Sequence, residues 1–477
     1  MQGKDETRTV ARLMSEYMRG RISRREMVRR GVALGISGSA LAMLAGSPRR
    51  AFAQDSTPAA DEAAGSTLTA PAGLRTDLQG QTVRAVLAEA SSPDRPWLEA
   101  ALALFSETTG ATAELIPGET SATDRLAAYN QQFAAQSSDN DVYQIDVIWP
   151  GIVGEHAVDL SEPLSDLAGQ HFEAIVANNT VDDKLVGMPW FTDAGLLYYR
   201  TDLLEKYSLQ PPTTWDELTT MAQTIQDGER AANPDFYGFV FQGNVYEGLT
   251  CNGLEWQYSY GGGTIVEPDG TVSVNNEQAI ASFERAKSWV GTIAPQGVTT
   301  YQEPDSLNVF TAGNAAFLRN WPYAYAASQD AAATAGKVGV SPLPKGNGPD
   351  ARNADTLGGW QMMVSKYSKN QEAAIEFVKF MCSPEVQKSY AIERSHLPTI
   401  ASVYDEPEVA EASEFIPRLK EVFQGGAVAR PSSVTGELYN EVSIAYHTLL
   451  NQVLTGEKDA ASAAQEMEDQ ISSIIEE

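Results

Sequence analysis

Aromatic residues that stand beside glycine, proline or a charged residue are the part of this sequence best suited to binding chemistry. They occur in five stretches: Trp149-Pro150-Gly151, Pro189 to Asp193, Trp256 to Gly261, Trp321-Pro322-Tyr323 and Gly358-Gly359-Trp360. Indole and phenol faces offer flat apolar area, and a neighbouring carboxylate or guanidinium offers strong hydrogen bonds. A neutral sugar ring presents the complementary surface, with apolar C–H faces and a rim of hydroxyl groups. A single tryptophan is more often core than binding surface, so the recurrence of the pattern is what predicts a site.

Acidic residues near these stretches leave a second kind of chemistry open. In composition, Asp146, Asp193 and Glu89 could supply the pair of carboxylates, about 5–10 Å apart, with which glycosidases cleave sugars. Against an enzyme, no acid stands in an obviously apolar environment that would raise its pKa. The chain also has no GxSxG nucleophile motif and no phosphate-binding loop. The sequence therefore favours a binding site without catalysis, with a glycosidase as the alternative.

The composition excludes several classes of protein. The 477 residues carry 34 Lys and Arg against 63 Asp and Glu, a formal net charge of −29. Because phosphate backbones are bound by Lys and Arg, nucleic acid is not an expected partner. Cys251 and Cys382 form no CxxC pair, which excludes a disulfide scaffold and a cysteine zinc site. With four histidines and no HExxH, we expect no metal and no cofactor. We expect the two cysteines to be buried single thiols, and a disulfide between them is the alternative.

The first 54 residues are predicted to be a targeting segment rather than part of a fold. They hold eleven Lys and Arg against four acids, opposite in sign to the rest of the chain. The stretch SRREMVR (23–29) resembles a twin-arginine export signal. A weakly apolar run (31–46) and the small-x-small site Ala51-Phe52-Ala53 follow, so we expect export with cleavage, and a retained anchor is the alternative. Residues 55–77, rich in Ala, Ser, Thr, Pro and Gly, are predicted to form a flexible linker.

Alternating strand and helix patterns begin at residue 82. Runs of β-branched and apolar residues at 82–87, 112–116 and 145–149 alternate with helical apolar spacing over 96–108 and 121–135. Such a βαβαβ order predicts parallel strands with helices on the faces of the sheet. The same alternation continues towards the C-terminus, so the predicted fold class is α/β.

Several ordered stretches carry a resemblance to a known family. They include GMPWFTDAGLLYYRTDLLEKY (187–207), PTTWDE (212–217), YEGLTCNGLEWQYSYGGG (246–263), GNAAFLRNWPYAY (313–325) and LGGWQMMVSKY (357–367). In this order they are similar to the extracytoplasmic solute-binding proteins of ABC transporters, maltose-binding class, and most of all to the trehalose/maltose-binding branch. The resemblance covers about residues 82–451. The ordered set is specific, whereas a single motif such as PTTWDE is only moderately so.

The resemblance implies a type II periplasmic-binding-protein fold, in which two α/β lobes joined by hinge strands enclose a ligand cleft. We expect the first lobe to comprise 78–192 and 327–382, and the second lobe 193–326 and 383–477. The chain then crosses between the lobes more than once. The lobes close on a bound solute because the closed state has the higher affinity for it.

The resemblance also implies which residues contact the ligand. Trp321 and Tyr323 match the family's aromatic stacking pair, and Gly359 with Trp360 matches a second platform on the other lobe. The polar residues that match ligand contacts of the family are Glu89, Arg125, Asp146, Asp193 and Arg430. Phe191 stands where the closest branch tends to have tyrosine, which removes one hydroxyl group and bears on which sugar is bound.

The implied function is that of the sugar receptor of an ABC importer, exported to the periplasm or the extracytoplasmic cell surface. Its expected ligand is a di- or oligosaccharide such as trehalose or maltose. Its expected protein partners are the permease subunits and the ATPase of the transporter, and it is expected to be a monomer without enzymatic activity. The same fold with a phosphorylated polyol as ligand is a further alternative, for which only Arg125 and Arg430 offer cleft cations.

Overall fold

Two main β-sheets organise the chain in the computed structural model, which describes residues 66–413, 415–417, 419 and 427–476. The strands are β1 (Thr82–Glu89), β2 (Thr112–Gly118), β3 (Val142–Asp146), β4 (Thr180–Val181), β5 (Lys184–Leu185), β6 (Met188–Ala194), β7 (Leu196–Arg200), β8 (Tyr237–Val240), β9 (Ala315–Asn320), β10 (Val338–Pro342), β11 (Asp355–Val364) and β12 (Ala427–Val428). The first three correspond to the strands predicted at the start of the fold, although β3 begins and ends three residues earlier than expected.

The first sheet has the strand order β12-β11-β3-β1-β2, with β6 also paired to β11. β1 is parallel to both β2 and β3, which confirms the parallel arrangement expected from the βαβαβ order. β11 is antiparallel to β3 and to β6. The sequence pattern does not predict β6 or β11 as strands, because Pro189 interrupts β6 and the pair Gly358-Gly359 interrupts β11, and both residue types are uncommon in strands.

Helices cover the faces of both sheets. Those of seven or more described residues are α1 (Arg95–Thr109), α2 (Ala122–Ala134), α3 (Trp215–Glu229), α4 (Glu247–Ser259), α5 (Glu277–Trp289), α6 (Glu303–Thr311), α7 (Ala324–Asp330), α8 (Gln371–Met381), α9 (Pro384–Arg394), α10 (Tyr439–Thr455) and α11 (Ala460–Ile475). Shorter ones lie at Pro150–Val153, Ser165–Ala168, Glu173–Asn178, Thr201–Lys206, Pro407–Ala412 and Ser432–Thr435. Within the described ranges, no helix combines the length and the apolar character needed to cross a bilayer.

The second sheet has four strands in the order β10-β7-β9-β8. β7 follows β6 after one residue, Gly195, so the chain passes from the first sheet directly into the second. A β-carbon on Gly195 would overlap the carboxylate of Glu255 and the guanidinium of Arg319, which is why this crossing point needs a residue without a side chain. The chain returns to the first sheet between β10 and β11. These crossings confirm the two-lobe α/β fold with hinge strands.

Strand pairing corrects part of the predicted lobe boundaries. The sequence assigns 327–382 to the first lobe, but β10 pairs antiparallel with β7 of the second sheet, with Val338 opposite Arg200. Conversely, β12 pairs with β11 of the first sheet, although it lies in the range 383–477 that was expected in the second lobe. A strand joins the sheet edge that can accept its hydrogen bonds, and the identity of that edge is not encoded in the local residue pattern.

Residues 66–77 belong to the folded unit rather than to a free linker. Thr67 donates backbone and hydroxyl hydrogen bonds to Glu393 of α9, and Leu68 packs against the core of the first lobe. These contacts fix a segment whose Ser, Thr and Pro content predicts flexibility, so the linker prediction is corrected for its second half. The predicted leader and the rest of the linker lie outside the described residues.

Each lobe has its own apolar core. The rings of Phe105 and Phe377 meet edge to face at 5.2 Å in the first, and those of Trp215 and Trp289 are 5.4 Å apart in the second. The two cysteines are buried and free, one in α4 and the other directly after α8, as the sequence predicts. Because each lobe is packed independently, polar groups can collect in the cleft between the two cores.

Candidate ligand-binding site

A cleft between the two sheets collects side chains from both lobes. It contains about 980 Å³ of unoccupied space, part of which is open to solvent. The nine residues predicted as ligand contacts all line it: Glu89, Arg125, Asp146, Asp193, Trp321, Tyr323, Gly359, Trp360 and Arg430. They come together because β1, β3 and β9 all end at this cleft, and ligand sites of α/β sheets characteristically lie at the carboxyl ends of strands.

Arg430 connects the two lobes through a pair of buried carboxylates. Its Nη2 donates to Asp146 Oδ1 at 2.9 Å and its Nη1 donates to Glu247 Oε1 at 2.8 Å. Asp146 ends β3 of the first sheet, whereas Glu247 begins α4 of the second lobe and also accepts hydrogen bonds from the hydroxyl groups of Tyr439 and Ser443. Burial raises the pKa of Asp146, and the attraction of Arg430 offsets this rise only in part. We call this group the interlobe bridge.

Asp193 lies on β6 next to the crossing between the sheets. Its side chain is buried, and its Oδ1 has no hydrogen-bond partner among the described residues. Burial above all, and then the charges of Asp146 and Asp94, raise the pKa of Asp193 well above its ordinary value. The expectation that no acid has an apolar environment is therefore wrong for this residue. A buried polar atom left without a partner costs about 1–3 kcal/mol, which a hydrogen bond from a ligand would recover.

The space beside Asp193 depends on a glycine. Gly358 of β11 is paired with Asp193, and a β-carbon at Gly358 would lie 3.1 Å from Asp193 Cβ and 3.1 Å from the ring of Trp321. The next residue, Gly359, has a φ of 132° and would bring a β-carbon within 2.7 Å of the Phe191 carbonyl oxygen. Both glycines thus allow an acid and an indole to approach the same stretch of backbone.

Glu89 and Arg125 meet at the end of β1. Arg125 Nη2 lies 3.7 Å from Glu89 Oε2, its Nη1 donates to Gln144 Oε1 at 3.2 Å, and Nη2 also donates to the Glu119 carbonyl at 2.7 Å. Ala88 has a φ of 37°, and the register between β1 and β2 shifts at this point. Such a bulge redirects the side chain that follows it. Burial raises the pKa of Glu89, and Arg125 offsets part of the rise.

Two indoles and a phenol supply the apolar faces of the cleft. Trp360 of β11 is half-buried, with the guanidinium of Arg125 4.9 Å from its ring centroid. Trp321 directly follows β9 and has the guanidinium of Arg319 4.0 Å from its ring centroid. Tyr323, two residues further on, is also half-buried and lines the cleft. Cation–π contacts of this kind hold the rings in place.

Several lining residues were missed by the sequence analysis. They are Asp94, Tyr246, Glu247, Glu303, Tyr390 and His396. Glu247 and Glu303 are the first residues of helices and Asp94 immediately precedes one. Acids are common at helix N-termini for local reasons, since they cap the helix and interact with its dipole. Nothing in the sequence pattern therefore separates these three acids from ordinary capping residues.

The cleft has an excess of acidic groups. Six carboxyl side chains line it (Glu89, Asp94, Asp146, Asp193, Glu247 and Glu303), against the guanidinium groups of Arg125 and Arg430. Arg430 is already engaged by two of the carboxylates. Within the part of the chain that the structure describes, no group of three or more His, Cys, Asp or Glu residues is arranged to hold a metal ion.

Comparison with known proteins identifies the family. A family model described as bacterial extracellular solute-binding protein matches residues 89–388. The chain belongs to this family. A probable ABC transporter-binding protein of Deinococcus radiodurans is 50% identical over 374 residues, which cover 78% of this chain and 88% of that protein. The match confirms the predicted family and the predicted class of function, a solute-binding protein of an ABC transporter that acts outside the cytoplasm.

Two further relatives have ligands in their names. The solved structure of maltose-bound MalE3 of T. maritima is 36% identical with a TM-score of 0.77, and the match covers 82% of this chain and 99% of that one. A maltodextrin-binding protein of Bacillus subtilis is 24% identical over 272 residues, covering 52% of this chain and 61% of that protein. The first of these matches agrees with the two-lobe fold described above.

Proposed function

We propose that this solute-binding protein captures a di- or oligosaccharide of the maltose or trehalose type and delivers it to the permease of its transporter. The main evidence is the environment of Asp193. Its carboxyl group is buried beside the indole of Trp321, and one of its oxygens has no hydrogen-bond partner among the described residues. A sugar hydroxyl supplies the missing hydrogen-bond donor, and the sugar's C–H face suits the indole. The maltose-bound relative and the maltodextrin-binding relative support a saccharide as the ligand.

The ligand contacts we propose are the nine cleft residues named above. The second platform, Trp360, stands on the first sheet, and Trp321 follows a strand of the second sheet. A ligand held by both platforms therefore contacts both lobes, which favours the closed state and gives hinge closure its driving force. We propose that the lobes consist of the residues around the two sheets, with crossings at Gly195 and between β10 and β11.

A phosphorylated polyol is less compatible with this cleft. Phosphate recognition needs convergent cationic groups. Arg430 is neutralised by Asp146 and Glu247, and Arg125 already donates to Gln144 and to a backbone carbonyl. The carboxylates around them would repel a phosphate.

A glycosidase is the second candidate, because one observation favours it. A raised pKa keeps a carboxyl group protonated near neutral pH, as a general acid requires, and Asp193 has a neighbouring acid in Asp146. A receptor needs the same buried carboxyl group only as a hydrogen-bond partner. The two functions differ in whether the sugar is recovered intact.

The proposal is tested by calorimetric titration of the purified full-length protein with maltose, trehalose, maltotriose, sucrose and trehalose 6-phosphate. We expect saturable binding of a neutral sugar, and chromatography afterwards should recover it unchanged. Cleaved sugar would establish the glycosidase instead, and binding of trehalose 6-phosphate alone would establish a phosphorylated ligand in place of a neutral sugar. No binding in the whole panel would refute the sugar ligand.

A variant pair links the binding to the cleft. Trp360→Ala should weaken sugar binding by about tenfold or more, as expected for a buried aromatic contact. Tyr258→Ala is the matched control: its ring is also half-buried with an arginine guanidinium at 4.9 Å, but it does not line the cleft. Equal affinities of the two variants would argue against Trp360 as a platform.

The route of export is part of the same proposal. We propose that the 1–54 segment directs twin-arginine export and is cleaved after Ala53. Mass spectrometry of the exported protein from wild-type cells, and from cells with Arg24 and Arg25 replaced by lysine, tests both statements. Export unchanged by the double replacement would exclude the twin-arginine route.

A further inference from the structure

His396 is a buried cleft residue with only one of its two ring nitrogens paired. Its Nε2 lies 2.7 Å from Asp94 Oδ2, whereas its Nδ1 has no partner among the described residues. The side chain is 4% exposed and lines the cleft. Unpaired ring nitrogens at such depth are costly in the absence of a ligand, which marks Nδ1 as a candidate contact.

Asp94 decides which nitrogen carries the proton. Its carboxylate accepts hydrogen bonds from Tyr390 Oη at 3.1 Å and Arg394 Nε at 3.0 Å as well as from His396. Burial raises the pKa of Asp94, but His396 and Arg394 together outweigh this effect and the net pKa is lowered. An ionised carboxylate can only accept hydrogen bonds, so in the neutral form of the His396 imidazole the proton is on Nε2 and Nδ1 is left as an acceptor.

Backbone pairing places His396 beside Asp193. Thr192 N donates to the Leu397 carbonyl at 2.9 Å in an antiparallel bridge. In antiparallel pairs, the residues flanking a bridged position share one face, so Asp193 and His396 face the same side. That side is the cleft, since both residues line it, and the ring of Phe191 on the same face is 4.3 Å from the His396 ring. Two buried acceptors without partners thus lie side by side.

We propose that His396 is a ligand-contacting residue that accepts a hydrogen bond from a sugar hydroxyl at Nδ1, next to the vicinal hydroxyl held by Asp193, and that Asp94 is the positioning residue that sets its tautomer. This proposal rests on the proposed sugar-binding function. A pair of adjacent ring hydroxyls has the spacing and the donors that two neighbouring acceptors require. His396 and Asp94 therefore help to determine which sugar stereochemistry is accepted.

Two substitutions of His396 separate the roles of its nitrogens. In His396→Gln, the longer side chain places an amide N–H near the position of Nε2, which keeps the bond to Asp94 but removes the acceptor at Nδ1. In His396→Asn, the amide oxygen lies near the position of Nδ1, which keeps the acceptor but loses Asp94. We expect H396Q to weaken maltose binding by about 10- to 100-fold, whereas H396N retains more affinity than H396Q.

His171 provides the matched control. It is also a buried histidine with one unpartnered nitrogen, Nε2, and its Nδ1 is bonded to Thr399 Oγ1 at 2.7 Å, but it does not line the cleft. His171→Asn keeps the Nδ1-like bond and removes the unpaired nitrogen, as H396Q does in the cleft. Its sugar affinity should equal that of the wild type.

A spectroscopic measurement tests the tautomer without any loss of folding. In the wild type at alkaline pH, 15N correlation spectra of the four histidines should show His396 with a protonated Nε2 and a bare Nδ1. In Asp94→Asn the amide can donate to Nε2, so we expect the opposite tautomer and weaker maltose binding. A wild-type His396 protonated on Nδ1 would overturn the proposal.

The measured affinities distinguish a failure of the proposed sugar-binding function from a failure of the proposed role of His396. A wild-type protein that binds none of the sugars refutes the proposed function and this inference with it. If the wild type binds maltose while H396Q binds it equally well, or H396Q and H396N lose affinity equally, only the role of His396 is refuted. Maltoses that each lack one hydroxyl group complete the test. The one that lacks the hydroxyl bound by His396 Nδ1 should have the same affinity for the wild type and for H396Q.

Discussion

Removing the arginine of the interlobe bridge should destabilise the protein strongly and in a pH-dependent way. Arg430→Met preserves much of the side-chain length but leaves the carboxylates of Asp146 and Glu247 buried without their cation. Each charge-assisted hydrogen bond is worth about 1.5–3 kcal/mol, and breaking a buried ion pair by removing one partner costs about 3–5 kcal/mol. We therefore expect R430M to lower the free energy of unfolding at neutral pH by about 3–5 kcal/mol.

The pH dependence follows from Asp146, whose pKa is already raised by burial. A carboxyl group with a higher pKa in the folded than in the unfolded chain binds more protons when folded, so stability falls as pH rises through that interval. Without Arg430 the pKa of Asp146 rises further, so the pH interval over which stability falls extends to higher pH. The difference in stability between wild type and R430M should therefore be largest at neutral pH and smaller near pH 4.5.

Urea unfolding followed by circular dichroism at both pH values measures these differences. Arg75→Met is the control, because Arg75 also contacts two carboxylates, Asp77 and Glu372, but on the surface; its urea midpoint should match that of the wild type. The triple variant R430M/D146N/E247Q removes all three charges and should recover most of the lost stability. A loss for R430M no larger than that for R75M, or a loss independent of pH, would refute the reasoning.

Three further predictions concern the hinge and the buried groups. Gly195→Ala should cost about 1–3 kcal/mol by overpacking against Glu255 and Arg319, whereas Gly151→Ala, which meets no atom within 4 Å, should leave the urea midpoint unchanged. Burial raises the pKa of Asp355 to about 8, although Leu343 N donates a hydrogen bond to its carboxylate. The free energy of unfolding, measured by urea titration, should therefore fall as pH rises from 5 to 8.5, and it should fall less steeply in Asp355→Asn. The same pH dependence in both proteins would contradict this. A thiol reagent should label the two cysteines only after unfolding, since both are buried and free; fast labelling of the native protein, or no labelling after unfolding, would contradict this.

The fold class could be predicted because local patterns carry it. The βαβαβ start appears as alternating apolar runs and helical spacing, and it is found as a parallel arrangement of β1, β2 and β3. The helix Trp215–Glu229 also begins with a local signal, since Thr214 and Glu217 form a capping box at its N-terminus. Strands that contain the site were harder to predict. β6 contains Pro189, and β11 contains Gly358 and Gly359, which line the cleft; both residue types weaken the strand signal.

The nine predicted cleft residues could be named because the family resemblance assigns positions to ligand contacts, which the type of a single residue does not. The other residues that line the cleft could not be named in this way. Glu247 looks like an ordinary acid at a helix start, and only the arrival of Arg430 from a segment about 180 positions away makes it part of a bridge. His396 stands between two segments with no recognisable motif, and its relation to Asp193 depends on the pairing of Thr192 with Leu397.

The sequence by itself determined the family, the α/β class, the acidity of the protein and the aromatic and polar residue types that suit a neutral sugar. These properties follow from composition, local periodicity and ordered motifs, all of which are linear. Only the tertiary structure decided which sheet each strand joins, which acid is left without a partner and which charges neutralise one another. Those properties depend on contacts between residues far apart in the chain, and burial, which sets the cost of an unpaired charge, exists only once both lobes have formed.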